Sequence, residues 1–387
     1  MRERIAILGS TGSIGRNALE VIEHLGGGYR AVALSGHRSL PLLLEQAQRH
    51  RPAAVAITEE NDDVTAVEGQ LERLGATVYR GQAGLVEMVA RDDIDTVLAA
   101  IVGAAGLPAV FAAVRAGKRV ALANKESLVI GGGLLIPEAR QRNVEILPVD
   151  SEHSAVFQAI RCGRREEIRR VILTASGGPF RKTPLDQMAK ATVADALKHP
   201  TWQMGNKITI DSATMVNKGL ELIEACWLFD LPPSKVEVVI HPESVVHSMV
   251  EFVDGSTIAQ LSPPDMRTPI QFALTYPDRT DGVGRRMDWS ESVSLHFEPP
   301  DLGRFPALRL AQDVAERGGT LGAVFNAANE VAVDAFTSGN VPFGEISRLI
   351  ELTIRAHRVQ PASSLDDLLE ADRWARETTR SYVRQVK

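Results

Sequence analysis

Carboxylates from two separate segments could hold a hard divalent cation. Asp150 and Glu152 lie two residues apart where a predicted strand over 144–149 passes into a helix, and at such a turn both can face one point. Glu221 follows in a predicted helix later in the chain. Three carboxylates with water suit Mg²⁺ or Mn²⁺, which prefer oxygen ligands. The sequence therefore predicts a metal site of Asp150, Glu152 and Glu221, while the plainer alternative is that Glu152 only complements the dipole of its helix.

A glycine turn and a helix further along the chain could bind a phosphate group. Gly177-Gly178 follows a predicted strand, and such a turn offers backbone N–H groups to an anion. A predicted helix begins near Ser212 and is capped by Ser212 or by its neighbour Asp211. Lys218 and Glu221 share one side of this helix, so a surface ion pair between them is the alternative to a ligand site. The predicted phosphate site consists of Ser176, Ser212, Asn217 and Lys218.

The segment from Lys198 to Gly205 lies between these two phosphate-binding elements. It has few periodic features, and it contains Trp202 with a proline and a glycine nearby. These features favour a mobile lid. A fixed core position for Trp202 is the alternative, because large aromatic side chains are mostly buried.

The spacing of three glycines near the start of the chain indicates a nucleotide site. Gly9, Gly12 and Gly15 follow the first predicted strand and open the first predicted helix. Glycines there permit a tight turn, and the helix N-terminus presents free N–H groups to a pyrophosphate. The spacing is GxxGxxG rather than the usual GxGxxG, so a glycine-rich turn without a ligand is the alternative.

The end of the second predicted strand indicates which nucleotide binds. Enzymes that use NAD usually carry an acidic residue there, which accepts a hydrogen bond from the ribose 2′-hydroxyl. Here the strand ends in Ser35-Gly36-His37-Arg38, without an acid. Gly36 leaves room for the ribose and Arg38 can pair with a 2′-phosphate, so we expect NADPH. A solvated surface charge is the alternative role for Arg38.

Strands and helices must position these residues, and their order predicts the fold class. Over residues 1–150, short apolar runs alternate with helical patterns, which predicts an α/β domain with a Rossmann-like, doubly wound parallel sheet that binds NADPH. The pattern over 151–276 predicts an α+β catalytic and metal-binding domain with an antiparallel sheet face that forms a dimer interface and a type I′ hairpin at Asp254-Gly255. A linker over 277–303 and a C-terminal four-helix bundle over 304–387 complete the prediction.

The composition excludes several classes of protein. The chain has 387 residues, 44% of them hydrophobic and 24% charged, so it can bury enough apolar surface to fold. Its net charge of −6 argues against general binding of nucleic acid or anionic membranes. Two cysteines make no disulfide framework, and the first residues carry no secretory h-region, so we expect a reducing, cytoplasmic location. The uncharged run over 96–114 is broken by Gly103, Gly106 and Pro108, which favours a buried strand–helix unit over a membrane helix.

Long stretches of the sequence resemble the 1-deoxy-D-xylulose 5-phosphate reductoisomerase family. The resemblance rests on GSTGSIG, ANKESLV, LPVDSEHSAVFQ, TASGGPF, HPTWQMGNKITIDSATMVNKGLELIEA and PDMRTPIQFAL, which together cover all three predicted regions. It implies the conversion of 1-deoxy-D-xylulose 5-phosphate to 2-C-methyl-D-erythritol 4-phosphate in the non-mevalonate isoprenoid pathway. It also implies NADPH, a divalent ion (Mn²⁺, Mg²⁺ or Co²⁺) and a homodimer.

The resemblance further implies roles for individual residues. Those that would bind NADPH are Thr11, Gly12, Ser13, Ile14, Gly36, Asn124, Glu126 and Gly205. The metal ligands would be Asp150, Glu152 and Glu221. Those that would bind the substrate are Lys125, Ser151, Glu152, Ser176, His199, Ser212, Asn217, Lys218 and Glu221, and Trp202 and Met204 would belong to the closing lid. The family often has Lys-Asn where this chain has His37-Arg38, which leaves the role of His37 open.

The predicted chemistry is a rearrangement of a hydroxyketone phosphate followed by reduction. A metal ion at the three carboxylates would act as a Lewis acid while a carbon–carbon bond breaks and reforms. Lys125 and Glu152 are the predicted catalytic residues: Lys125 would stabilise developing charge, and Glu152 is a candidate for proton transfer as well as for metal ligation, two roles that the sequence does not separate. The resulting aldehyde would accept hydride from NADPH. Two alternatives are another NADP-dependent dehydrogenase with a Rossmann and an α+β domain, which would not need the metal carboxylates, and a nucleotide-binding regulatory protein without turnover.

Overall fold

The computed structural model describes residues 3–59 and 63–386, which form two compact units. Unit 1 contains the described residues up to Ser127, together with Leu135–Ser154 and Asp265–Arg285. Unit 2 contains Leu128–Leu134, Ala155–Pro264 and the described residues from Arg286 onward. The predicted division of the chain at residues 150, 276 and 303 into domains of separate function stays a prediction.

A seven-stranded parallel sheet organises unit 1. Its strands are β1 (Glu3–Leu8), β2 (Tyr29–Gly36), β3 (Ala54–Ile57), β4 (Thr77–Arg80), β5 (Thr96–Ala99), β6 (Arg119–Leu122) and β7 (Ile146–Pro148). They occur in the order β4-β3-β2-β1-β5-β6-β7 and all pair in parallel. Ile5, Ile7 and Val97 are completely buried, as expected for strands that are covered on both faces. The predicted doubly wound α/β fold is therefore confirmed.

Helices connect these strands. They are α1 (Ser13–Leu25), α2 (Leu40–His50), α3 (Asp63–Arg73), α4 (Gly81–Val89), α5 (Leu107–Arg115), α6 (Lys125–Gln141) and α7 (Ser151–Ala159), which follows β7. The uncharged run over 96–114 forms β5 and α5 rather than one long helix, because a turn at Gly103, with φ +78°, separates them. Over the described residues, no helix is both long and apolar enough to cross a membrane.

A four-stranded mixed sheet lies in unit 2. Its strands are β8 (Ile168–Ala175), β9 (Val236–Ile240), β10 (Val246–Phe252) and β11 (Thr257–Leu261), in the order β11-β10-β8-β9. β10 runs antiparallel to β8 and β11, whereas β8 and β9 are parallel. Val171, Leu173 and Val250 from one face of this sheet enter a buried apolar core. The predicted antiparallel sheet is thus present, with one parallel neighbour added at its edge.

The turn between β10 and β11 differs from the predicted type I′ turn. The carbonyl oxygen of Phe252 accepts a hydrogen bond from the N–H of Gly255 at 3.0 Å, so Val253 and Asp254 occupy the central positions. A type I′ turn requires positive φ at both central residues, whereas here the positive φ, +88°, belongs to Gly255. The glycine follows the turn as a left-handed residue, which is the common form of a three-residue hairpin loop.

The remaining helices are α8 (Leu185–Met188), α9 (Val193–Ala196), α10 (Asn206–Ala213), α11 (Val216–Phe229), α12 (Arg267–Thr275), α13 (Pro306–Arg317), α14 (Leu321–Thr337), α15 (Glu345–Ala356) and α16 (Leu365–Val386). Of these, α12 belongs to unit 1, where it packs beside α1. Helices α13 to α16 confirm the predicted four C-terminal helices.

The single helix predicted to begin near Ser212 is in fact two helices. α10 ends at Ala213 and α11 begins at Val216, with Met215 between them at φ +61°. Asp211 and Ser212 therefore lie in the last turn of α10 and cap neither helix. The prediction was wrong because a left-handed position is usually marked by glycine or asparagine, and here a buried methionine occupies it.

Candidate active site

The glycine loop after β1 has a shape that requires glycine. Gly9 has φ +81°, and a Cβ atom there would lie 2.9 Å from the carbonyl oxygen of Ala100, which follows β5. A Cβ atom on Gly15 would lie 2.4 Å from the carbonyl oxygen of Gly9, a separation that real side chains do not adopt. Since β1 lies between β2 and β5, the loop is at the point where the strand order reverses and α/β sheets bind ligands.

The predicted pyrophosphate-binding residues lie at the start of α1. They are Thr11, Gly12, Ser13 and Ile14, all exposed or half-buried. No side chain caps the first turn of α1. The backbone N–H groups of that turn are therefore available to an anion, as the predicted nucleotide site requires.

An acidic residue lies beside Arg38, although it comes from the end of β3 and not of β2. Glu59 Oε2 is 3.9 Å from Arg38 Nε and 3.6 Å from His37 Nε2. The Arg38 side chain is 85% exposed, so water screens its pairing with Glu59. Sequence reasoning missed Glu59 because it considered only the end of β2. The signal was available in the pairing of β2 with β3, since parallel neighbours end at the same edge of a sheet.

Asn124 and Glu126 are buried after β6. Asn124 Nδ2 donates to Glu126 Oε2 at 2.9 Å and to the carbonyl oxygen of Gly103 at 3.1 Å. Both hydrogens of this amide are therefore used within unit 1. Asn124 thus joins the loops that follow β5 and β6, and the contact of both residues with NADPH stays a prediction.

Lys125 and Asp150 form an ion pair at the ends of neighbouring strands. Lys125 follows β6 and Asp150 follows β7, and these strands pair in parallel. Lys125 Nζ is 2.5 Å from Asp150 Oδ2, and the side chains are 11% and 14% exposed. In the first turn of α7, the Ser151 hydroxyl donates to Glu152 Oε2 at 2.5 Å. Four predicted residues therefore lie at the carboxyl edge of the sheet.

His199 joins the two serines of the predicted phosphate site in unit 2. Its Nε2 atom lies 3.0 Å from Ser176 Oγ and 3.1 Å from Ser212 Oγ. Its Nδ1 atom accepts hydrogen bonds from the backbone N–H groups of Thr201 and Trp202, at 3.2 and 2.9 Å. Since an accepting ring nitrogen carries no proton, neutral His199 bears its hydrogen on Nε2. His199 therefore directs an N–H donor toward two hydroxyl groups, an arrangement that suits an anion.

The glycine turn after β8 contacts the same cluster of Ser176, His199 and Ser212. The N–H of Gly178 donates to Ser176 Oγ at 3.2 Å. Gly178 has φ +64°, and a Cβ atom on it would lie 2.8 Å from the carbonyl oxygen of Ser212. The missing side chain is thus what allows the turn and the end of α10 to approach so closely.

The polar residues of α11 form a buried group. Asn217 Nδ2 and Lys218 Nζ each donate to one oxygen of the Glu221 carboxylate. Lys218 is 3% exposed and Glu221 is fully buried. Lys218 and Glu221 therefore form an ion pair in the interior and not on the surface, and there desolvation offsets most of its attraction. A buried pair that adds little stability is a candidate for function.

The predicted residues fall into two groups, one in each unit. Unit 1 holds the glycine loop, Gly36 to Arg38, Asn124 to Glu126 and Asp150 to Glu152. Unit 2 holds Ser176, His199, Ser212, the α11 group and the predicted lid. In the lid, Trp202 and Met204 are half-buried, Gly205 is the exposed N-cap of α10, and 197–205 contains neither helix nor strand. That the two groups of residues belong to a single site stays a prediction.

Comparison with known proteins gives similarity along nearly the whole chain. Residues 5–132 match the family model described as 1-deoxy-D-xylulose 5-phosphate reductoisomerase. Residues 146–229 match the model of the 1-deoxy-D-xylulose 5-phosphate reductoisomerase C-terminal domain, and residues 261–378 match a model described as DXP reductoisomerase C-terminal domain. The 1-deoxy-D-xylulose 5-phosphate reductoisomerase of Chlorobium phaeovibrioides is 48% identical over 381 residues, 98% of this chain and 99% of the relative.

Solved structures agree with this similarity. The Zymomonas mobilis reductoisomerase in complex with NADPH has a TM-score of 0.92 at 43% identity and covers 99% of both chains. A DOX-P reductoisomerase in complex with NADPH, fosmidomycin and magnesium has a TM-score of 0.92 at 40% identity, covering 99% of this chain and 98% of the other.

Truncation of Trp202 distinguishes a lid from a core element. The Trp202 ring is half-buried, with its centroid 6.2 Å from that of His247. We predict that Trp202→Ala lowers catalytic efficiency while leaving the melting temperature nearly unchanged, because few packed contacts are lost. A tryptophan fixed in the core would lose about 3–5 kcal/mol of stability on the same change. Trp202→Phe, which keeps an aromatic ring, serves as the control and should retain most of the efficiency.

Limited proteolysis provides an independent measurement on the same segment. We expect cleavage within 198–205 in the free protein and protection by NADPH with a phosphonate substrate mimic. Equal cleavage with and without these ligands, together with a large fall in melting temperature for Trp202→Ala, would contradict the lid.

Proposed function

The chain belongs to the 1-deoxy-D-xylulose 5-phosphate reductoisomerase family, and we propose how its residues divide the work of that reaction. The reaction is the NADPH- and divalent-metal-dependent rearrangement and reduction of 1-deoxy-D-xylulose 5-phosphate to 2-C-methyl-D-erythritol 4-phosphate, a step of the non-mevalonate isoprenoid pathway. The observation that carries this proposal is the similarity along nearly the whole chain: the family models match the ranges that contain the glycine loop, the carboxylates and the serines. The alternative of another NADP-dependent dehydrogenase is not favoured.

NADPH is proposed to bind unit 1 at the loop after β1. The steric demand at Gly9 and Gly15 and the uncapped N-terminus of α1 fit a pyrophosphate. Arg38 is the proposed partner of the 2′-phosphate, because its guanidinium is exposed and its contact with the Glu59 carboxylate, at 3.9 Å, is long.

Removal of Arg38 tests the nucleotide assignment. Arg38→Ala should raise the KM for NADPH much more than the KM for NADH, since a charge-assisted contact is worth about 1.5–3 kcal/mol. Steady-state kinetics with both cofactors measures this. Arg30→Ala, which removes an exposed arginine at the opposite end of β2, is the control. Equal changes for the two cofactors would contradict the assignment.

Asp150, Glu152 and Glu221 are the proposed ligands of the divalent cation. Carboxylate oxygens are the donors that Mg²⁺ and Mn²⁺ prefer. Asp150 Oδ2 is buried 2.5 Å from Lys125 Nζ, and a carboxylate has further lone pairs that can bind a cation. When bound, the cation supplies Lewis acidity to the ketone oxygen and a neighbouring hydroxyl of the substrate. We propose that this chain can use Mn²⁺ or Mg²⁺ as the catalytic cation; magnesium is the ion found with the relative.

Glu221→Gln tests the metal assignment. Glutamine has nearly the same size and helix propensity as glutamate, so α11 should remain folded while one ligand charge disappears. Turnover should fall steeply and recover in part at high Mn²⁺. Because Lys218 loses a buried ionic partner, the melting temperature is measured beside the metal titration. Glu316→Gln, in an exposed helical position, is the control, and an unchanged metal dependence in Glu221→Gln would contradict the site.

The phosphate group is proposed to bind at Ser176, His199, Ser212, Asn217 and Lys218. The neutral tautomer of His199 places a hydrogen on Nε2, and the serine hydroxyls can rotate to donate to an anion. Lys218 adds a buried positive charge. Binding energy from the phosphate, remote from the reacting carbons, then serves to orient them.

Lys125, Ser151 and Glu152 are proposed to act beside the reacting carbons. The Lys125 ammonium group stabilises negative charge on the substrate oxygens while the carbon skeleton rearranges. Glu152 would bind the metal ion and also transfer a proton. The Ser151 hydroxyl orients the Glu152 carboxylate by donating to Oε2 at 2.5 Å. Hydride then passes from NADPH to the aldehyde.

The outer face of the mixed sheet is proposed to pair two copies of the chain. Met249 lies in register with Ile172 on β8 and with Ala259 on β11, so these apolar residues form one row across the sheet. All three are only half-buried, although Val171, Leu173 and Val250 beside them in the sequence face the core. Arg170 and Glu251 pair beside this row at 2.7 Å, which gives the face a charged flank.

A charge placed in the row tests the homodimer. Met249→Arg should convert the protein from dimer to monomer in size-exclusion chromatography with light scattering, because a second copy would have to bury an unpaired guanidinium. Leu185→Arg, at an exposed apolar residue outside the sheet, is the control. A monomeric parent protein, or a Met249→Arg variant that remains dimeric, would contradict this interface.

A cytoplasmic location is proposed as well, consistent with the unpaired Cys162 and Cys226.

A further inference from the structure

Asp211 places a buried carboxylate next to Ser212. Its side chain is 1% exposed and lies in the last turn of α10. A carboxylate in the interior loses its hydration, so it persists there only with charged or hydrogen-bonding partners. The proposed chemistry uses Ser212 and leaves the role of Asp211 open.

Two partners on different helices hold this carboxylate. Lys207 lies one turn earlier in α10, with Nζ 2.9 Å from Asp211 Oδ2. Asn329 in α14 donates from Nδ2 to Asp211 Oδ1 at 2.9 Å. Asn329 is fully buried on a packed helix, so its side chain has little freedom to follow a shift of α10. A C-terminal helix is therefore hydrogen-bonded to the residue that precedes Ser212.

This contact constrains the orientation of α10. Asp211 and Ser212 are consecutive in one helical turn, so a rotation of α10 that breaks the contact with Asn329 also moves Ser212 Oγ. Ser212 Oγ lies 3.1 Å from His199 Nε2, near the long end of the normal range, and a small displacement would break that bond.

We propose that Asn329 is a positioning residue for the phosphate group of the substrate. It acts through Asp211 on Ser212 and does not touch the ligand. The proposal rests on the proposed function, specifically on the assignment of Ser176, His199 and Ser212 to phosphate binding. The competing explanation is that the contact between Asn329 and Asp211 only stabilises the fold.

Asn326 provides a matched control. It lies one turn earlier in α14, is also fully buried, and donates from Nδ2 to Glu330 of the same helix at 2.9 Å. The side-chain oxygen of each asparagine is buried without a hydrogen bond. Truncation of either residue to alanine therefore removes the same atoms and one hydrogen bond, but the bond of Asn326 stays within α14.

The test compares Asn329→Ala with Asn326→Ala in the full-length protein. We expect Asn329→Ala to raise the KM for 1-deoxy-D-xylulose 5-phosphate on the order of tenfold, because a hydrogen bond to a buried charge is lost. Its KM for NADPH should stay close to that of the parent, and Asn326→Ala should leave both constants close to the parent values. Similar melting temperatures for the two variants would show that stability is matched. Equal changes of substrate KM in both variants, or an unchanged substrate KM in Asn329→Ala, would overturn the proposal.

Serine variants cover the case in which an alanine variant does not fold. Asn329→Ser and Asn326→Ser each leave a polar hydroxyl group at the same buried position, but this group lies one bond nearer the backbone than the amide nitrogen and does not reach the parental acceptor. The same split is expected between them: a raised substrate KM for Asn329→Ser and a parental one for Asn326→Ser. An identical substrate KM in the two serine variants would overturn the proposal.

The side-chain nitrogen resonances of His199 separate this proposal from the phosphate assignment. In isotopically labelled protein without ligand, we expect Asn329→Ala to shift the Nε2 signal and Asn326→Ala to leave it in place, because only the former moves Ser212. Ser212→Ala should raise the substrate KM if this serine binds phosphate. A shifted signal with no effect of Ser212→Ala on substrate KM would contradict the phosphate assignment, whereas an unshifted signal with a clear effect would contradict the role of Asn329.

Discussion

Parallel pairing of strands is the constraint on which the chemistry of unit 1 depends. In a parallel sheet every strand ends at the same edge, so residues that follow different strands meet there although the chain separates them widely. The glycine loop follows β1, Arg38 follows β2, Lys125 follows β6 and Asp150 follows β7. Each of these residues owes its position to strand order and register, and the helices serve mainly to return the chain to the other edge.

Unit 2 uses a different principle, in which buried polar groups hold one another. His199 has one ring nitrogen occupied by two backbone N–H groups, and this leaves the other nitrogen as a donor toward two serines. Lys218 and Glu221 are both withdrawn from water. Such groups cost free energy to desolvate, and the ion pairs return little net stability, so folding alone gives little reason for their arrangement.

Close backbone approaches connect these polar groups to the fold. At Gly15 and Gly178 a side chain would collide with a neighbouring carbonyl group, so the loops can be tight only because no Cβ is present. Met215 shows the opposite case, in which a residue with a side chain takes a left-handed conformation and separates α10 from α11. Its buried side chain packs in the interior, which offsets the local cost of that conformation.

Local sequence patterns were sufficient to predict the alternation of strands and helices in unit 1, the glycine loop at the start of α1 and the four C-terminal helices. Periodicity, glycine spacing and strand–helix alternation are local properties, and the long family motifs named the reaction. The hairpin between β10 and β11 was predicted, but its turn type was wrong, because a short turn motif allows more than one backbone form. The break at Met215 was missed, because no glycine or asparagine marks that left-handed position. The contacts between polar groups, in contrast, depend on how the elements pack. Helical spacing predicted that Lys218 could pair with Glu221, but not that this side of α11 is buried. Glu59 beside Arg38 and Asn329 on Asp211 join residues far apart in the chain, and contacts of that kind depend on packing that no local pattern encodes.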